Sequence, residues 1–170
     1  AYFEFADQKD FPDILDYLKK GINVMILRTF SKIYGLAGLR IGYGIAKKEF
    51  IQYLERCRQP FNVNLLAQEA AQAALSDTAF VKKSKKIARE GKEYLYQSLE
   101  KMGIEYIPSA TNFILLNLRQ DGLEVFKKLL QPGVIIRDMR QYGLKDFIRV
   151  TIGTEKENKK FIAALKEVLS

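Results

Sequence analysis

The stretch Arg28-Thr29-Phe30-Ser31-Lys32-Ile33-Tyr34-Gly35-Leu36-Ala37-Gly38-Leu39-Arg40-Ile41-Gly42-Tyr43-Gly44 gathers a lysine, arginines and hydroxyls around a turn relieved by glycine. Lys32 follows directly on an apolar run, where partial desolvation would free its amine as a nucleophile. Its product with an aldehyde would be a Schiff base. Thr29, Ser31 and Arg40 would supply donors to a dianion, and Arg40 offers the planar fork that a phosphate accepts in two places. Gly35, Gly38, Gly42 and Gly44 let the backbone turn sharply and let a ligand or a second segment come close. Taken singly, each residue has a plainer reading: a surface lysine, a surface ion-pair arginine, a glycine at a bulge. The ordered set is what points to chemistry.

The rest of the composition narrows that chemistry. The 170 residues include no histidine and one cysteine, Cys57. Without an imidazole there is no His-based metal site and no Ser-His-Asp or Cys-His nucleophile, so acid-base work falls to Lys, Tyr or a carboxylate. One cysteine permits no intrachain disulfide and no cysteine metal cluster, which suits a reducing, cytoplasmic compartment. The longest apolar runs, Val24 to Leu27 and Phe113 to Leu116, fall far short of the ~20 residues that span a bilayer, so no membrane contact is expected. A net charge of +8 suits anionic small molecules or nucleic acid. The densest basic cluster, Lys82, Lys83, Lys85, Lys86 and Arg89, is interleaved with Phe80, Val81, Ile87, Ala88, Tyr94 and Leu95, whose spacing predicts a buried helix stripe. The lysines are read as that helix's wet side, with no nucleic-acid partner.

The elements that must position these residues follow from periodicity and punctuation. Ala1 to Phe5 alternates like a strand already under way, so an N-terminal portion is expected to be missing. Asp10 to Lys20 reads as a helix stopped by Gly21. Asn23 to Thr29 and Leu39 to Ala46 read as strands covered on both faces, with Phe30 to Gly38 turning between them. Helical patterns follow at 48–58 and 64–75. Asp77 caps a long helix to about Met102, ended by Gly103. Then come strands at 105–107 and 112–118, a helix at 123–130, strands at 134–138 and 147–152, and a last helix opened by the capping box Thr154 to Glu157. The domains expected are 1–76, the end of a large α/β domain; 77–102, a connecting helix; and 103–170, a small α+β domain. The first of these is short of strands for the covered sheet its composition calls for.

Thr29-Phe30-Ser31-Lys32 followed by Gly35 to Tyr43 resembles the lysine segment of the fold-type I pyridoxal-phosphate-dependent aminotransferases. The resemblance continues through Gln59 to Asn64, Pro108 to Phe113, Gly133 to Asp138 and Phe147 to Gly153, five separated motifs in the family's order. Within the superfamily the chain is most similar to the histidinol-phosphate aminotransferase branch, over the C-terminal half of that branch's chain. The resemblance implies an α/β fold and pyridoxal 5'-phosphate as cofactor. It implies that Lys32 is the catalytic lysine, holding the cofactor and moving a proton at the substrate. Arg40, Ser31 and more loosely Thr29 would bind the cofactor phosphate, and Tyr2 would hydrogen-bond the cofactor's phenolic oxygen. Arg149 and Arg137 would grip substrate anions, with Asn112 a weaker substrate contact. The reaction implied moves an amino group between histidinol phosphate and glutamate or 2-oxoglutarate, in histidine biosynthesis, by a homodimer when the chain is full length.

The acidic partner of the cofactor's ring nitrogen would lie before residue 1, so the chain alone is expected to have little or no turnover without the missing N-terminal half. Three other readings compete. An aromatic aminotransferase or threonine-phosphate decarboxylase would share the motifs, a noncatalytic folding or interaction module would form no adduct at Lys32, and a nucleic-acid binder would show strongly salt-dependent affinity.

Overall fold

A computed structural model of the chain describes residues 1–8 and 10–169. It divides into two compact units, Ala1–Lys83 and Ser84–Ser170, with the division inside one long helix.

In the first unit the opening residues form a 3-10 turn, Phe3–Phe5, not the strand their alternation predicts. Local bonds close it, Phe5 N to the Tyr2 carbonyl at 2.9 Å and Ala6 N to the Phe3 carbonyl at 3.2 Å. Helix α1, Ile14–Lys19, starts later than periodicity suggests because Asp13 caps it, accepting from the Leu15 amide. Strands β1 (Ile26–Thr29) and β2 (Gly42–Ile45) pair antiparallel, with Thr29 opposite Gly42. The expectation that both are covered is not met: Leu27 is 67% exposed and Tyr43 40%. The physical reason is that β1 and β2 form a sheet of two strands only, so neither face receives the layers that continuous apolar strands need. Gly42 serves this pairing directly, since a Cβ there would sit 2.6 Å from the Arg28 carbonyl oxygen. Helices α2 (Lys48–Cys57) and α3 (Leu65–Ser76) follow, α3 capped by Asn64 and buried along Ala67 and Ala71.

Helix α4, Thr78–Lys101, straddles the division. Its basic cluster is exposed as expected, but the buried line runs through Ala88, Gly91, Lys92, Leu95 and Leu99, while Phe80 and Ile87 are exposed. The stripe therefore follows the i, i+3, i+4 track of a helix whose second half lies in a core.

That core belongs to the second unit. Strands β3 (Glu105–Ile107), β4 (Phe113–Asn117), β5 (Arg137–Asp138) and β6 (Phe147–Thr151) make an antiparallel sheet in the order β3-β4-β6-β5. Ile114, Leu116, Ile148 and Val150 pack with Leu95 and Leu99 of α4, with Val125 and Leu129 of α5 (Gly122–Leu130), and with Phe161, Ile162 and Leu165 of α6 (Glu155–Leu169). The capping box is present: the Thr154 hydroxyl and amide donate to Glu157 at 2.7 Å each, and these bonds hold the Glu157 carboxyl below the ordinary carboxylate range. Asn158, 2% exposed, exchanges two bonds with the Gly153 backbone and ties the end of β6 to α6. No helix among the described residues is long and apolar enough to cross a membrane.

Tyr96 and Tyr106 stack with centroids 4.3 Å apart, and the Tyr96 hydroxyl accepts from the Ser109 amide at 2.7 Å, fixing the loop that leads into β4. The Tyr106 hydroxyl donates to Glu100 at 2.7 Å, and that bond, then burial, pushes its pKa up to about 12. The folded state thus favours the protonated phenol. This contribution is complete below the unfolded value of about 10 and is lost as pH rises toward about 12. Urea midpoints of the chain should fall between about pH 10 and 12, and Tyr106→Phe should flatten that fall. An unchanged slope in the variant would show that Tyr106 is not its source.

Candidate functional site

The lysine turn is anchored at two points: Phe30 and Ile33, 3% and 2% exposed, are buried, while Ser31 between them is half-buried and Lys32 exposed. Lys32 is therefore not partly desolvated as its position after an apolar run suggests. The Phe30 ring packs on Tyr34 at 5.0 Å and on Tyr43 at 5.7 Å. Two backbone bonds close the turn, Phe30 N to the Ile41 carbonyl at 3.1 Å and Leu36 N to the Phe30 carbonyl at 2.9 Å.

The polar residues expected at an anion site meet here. The Ser31 amide donates to the Thr29 hydroxyl oxygen at 3.1 Å, and Arg40 Nη1 donates to Ser31 Oγ at 3.3 Å and to the Ala37 carbonyl at 2.7 Å. Arg40 adopts φ +52°, a left-handed conformation costing a non-glycine residue on the order of 1 kcal/mol, as it ends the short 3-10 helix Ala37–Leu39. Tyr2 is also brought in, with Lys32 Nζ 5.3 Å from the centroid of its ring. Tyr2, Thr29, Ser31, Lys32 and Arg40 are therefore neighbours in the first unit. Sequence reasoning missed two parts of this environment. Arg28 lies over the Phe3 ring at 3.9 Å. The Tyr34 hydroxyl is pushed above its usual value by burial, then by the charge of Glu4 and by Tyr43, against a smaller opposite effect of Arg28. The aromatic repeat Phe30, Tyr34 and Tyr43 was the available signal.

The second unit holds the other expected residues. Register places Ile107, Leu115, Arg149 and Arg137 in one row across the four strands, on the sheet face opposite the core. Arg149 lies on an internal strand, half-buried, not at the edge; Arg137 stands directly opposite it on β5. Like charges in that position are destabilising. The Arg149 guanidinium lies 4.7 Å over the Phe113 ring, while its buried Nε has no hydrogen-bond partner among the described residues. Register and chemistry thus set two cations on one face of the sheet. The Asn112 carbonyl accepts from the Ile152 amide at 2.9 Å, so its backbone extends the β4–β6 ladder. Among the described residues no group of His, Cys, Asp or Glu is placed to hold a metal ion.

An exposed lysine amine beside hydroxyl and guanidinium donors on one turn is the donor set that group transfer through an anionic carbonyl compound calls for. The chain belongs to the class I and II aminotransferase family, whose model matches residues 1–165. It is 53% identical over 171 residues to the histidinol-phosphate aminotransferase of Moorella thermoacetica, covering 100% of this chain and 44% of that relative. The crystal structure of the Clostridium acetobutylicum histidinol-phosphate aminotransferase matches with a TM-score of 0.90 at 30% identity, over 99% of this chain and 52% of that one. That of the Sinorhizobium meliloti enzyme in complex with pyridoxal-5'-phosphate matches at 0.80 and 30%, over 99% and 47%. The α/β, fold-type I assignment implied by the motifs holds. The chain spans about half the length of the curated relatives it matches.

The arginine row predicts a conflict between stability and function. Arg149→Met removes the like-charge opposition and the unpaired Nε while keeping apolar contact with Phe113. It should raise stability by about 0.5–1 kcal/mol in urea unfolding. A loss of stability would mean that Arg149 is held by favourable bonds and not by a demand for positive charge.

Proposed function

We propose that this chain supplies the lysine turn and the substrate-anion arginines of a pyridoxal-phosphate-dependent aminotransferase acting on histidinol phosphate and glutamate. Because the chain spans about half of its relatives, the activity is proposed for the whole enzyme, as a homodimer, and not for these 170 residues alone. The observation that carries the reading is the convergence of Lys32, Ser31 and Arg40 on one turn.

The residues present fit the cofactor. Ser31 and Arg40 offer donors to a phosphate, and among the described residues Arg40 commits only Nη1 of its five-donor fork to protein. Lys32 presents its amine on the same turn, where it can bind an aldehyde carbon and, once released, take and return a proton at a substrate carbon. Tyr2 would orient that amine through the ring face it already offers. When bound, the cofactor supplies the electron sink that makes loss of the substrate α-proton feasible. Arg149 and Arg137 would take the anionic end of each substrate in turn, the phosphate of one and a carboxylate of the other. Asn112, at the entry to β4, would add an amide contact.

Treatment of the chain with pyridoxal 5'-phosphate and then borohydride should fix one phosphopyridoxyl group on Lys32, and Lys32→Ala should abolish it in intact-mass and peptide analysis. Label spread evenly over Lys82, Lys83, Lys85 and Lys86 would contradict a dedicated lysine. In the complete enzyme, 2-oxoglutarate should accept nitrogen from histidinol phosphate faster than from aromatic amino acids. Preference for an aromatic donor, or carbon dioxide release from threonine phosphate, would select the alternative members of the family.

A further inference from the structure

Arg137 is exposed, and an exposed arginine samples many rotamers that a bound anion must freeze at a cost of ~1 kcal/mol or more. Here the guanidinium is held before any anion arrives. The side-chain oxygen of Gln141, with the amide turned so that this atom faces the arginine, accepts from Arg137 Nε at 3.2 Å and also from Nη2. The Tyr142 hydroxyl donates to the same oxygen at 3.2 Å, and the Tyr142 ring lies 5.4 Å from the Arg137 guanidinium carbon.

The segment that presents these two side chains is itself fixed. Gln141 and Tyr142 belong to the 3-10 turn Arg140–Tyr142, closed by Gly143 at φ +77°. Arg140 reaches both oxygens of Asp121, at 2.6 and 2.7 Å, and Asp121 caps α5. The Arg140 amide donates to Asp138 beside Arg137 at 3.2 Å, and Met139 is buried beneath the turn. Gln141 is thus carried on a framework tied to both β5 and α5.

The choice of an amide matters. A carboxylate at 141 would bind the same edge of the fork more strongly, but it would cancel the charge that the anion needs. A neutral oxygen orients the guanidinium and leaves it a full cation opposite Arg149.

We propose that Gln141, supported by Tyr142, is a positioning residue that holds Arg137 by one edge without neutralising it, so that Arg137 and Arg149 together receive the phosphate or carboxylate of the substrate. This rests on the reading of the two arginines as the substrate-anion contact. The test uses the 170-residue chain with inorganic phosphate as probe. Two readouts are taken: phosphate affinity by titration, and solvent exchange of the Arg137 Nε–H by NMR. Gln141→Met, similar in length but without the acceptor, should weaken phosphate about 5-fold and accelerate Nε–H exchange. Gln141→Glu should keep Nε–H protected yet weaken phosphate about 10-fold, a split that a merely structural role would not give. Wild-type affinity and exchange in Gln141→Met would overturn the positioning role. Arg137→Met separates the two levels. If it weakens phosphate while both Gln141 variants bind normally, only the positioning role fails. If it too binds phosphate normally, the arginine reading fails with it.

Discussion

Arg137 and Arg149 stand in register on neighbouring strands β5 and β6, so two cationic residues share one face of the sheet. Side by side they repel, and nothing in the sheet needs them for its core, which lies on the other face. The surroundings tolerate the charge without removing it. Arg149 is given an aromatic face by Phe113, and Arg137 is given a neutral amide and a phenol. Among the described residues no carboxylate pairs with either, although the same unit pairs Arg140 with Asp121 and Arg119 with Glu105. The two arginines thus keep their charge on this face of the sheet.

The lysine turn solves a different problem by similar means. A short connection between β1 and β2 must hold an amine outward and gather hydroxyl and guanidinium donors beside it. Burying Phe30 and Ile33 anchors the turn, the Thr29 hydroxyl caps the Ser31 amide, and Arg40 takes a left-handed backbone and reaches back to Ser31. The same geometry exposes Lys32. Lys32 stands beside the Tyr2 ring face and the Ser31–Arg40 donor pair.

Much of this was legible from residue types. The Thr154 capping box, the Asp77 cap, Gly21 and Gly103 as helix stops, and the strands of the second unit follow from local chemistry, which acts over a few residues. The hydrogen-bonded grouping of Thr29, Ser31 and Arg40 was visible because its members are close in sequence. What escaped depended on partners. Ala1 to Phe5 has the alternation of a strand, yet strand formation needs a neighbour to accept its ladder, and a 3-10 turn satisfies the backbone locally instead. Leu27 and Tyr43 look like covered positions but lie on a two-stranded ribbon. The face-to-face register of Arg137 with Arg149, and the grip of Gln141 four residues beyond, are tertiary facts that no periodicity encodes.

The central claim is that Arg137 and Arg149 are kept together because an anion bridges them. A double-mutant cycle between Arg137→Met and Arg149→Met, read as unfolding free energy with and without inorganic phosphate, tests it most directly. The account predicts an unfavourable coupling of about 0.5–1 kcal/mol in phosphate-free buffer that reverses sign when phosphate saturates the chain. A coupling that is zero or favourable without phosphate, and unmoved by adding it, would contradict the account.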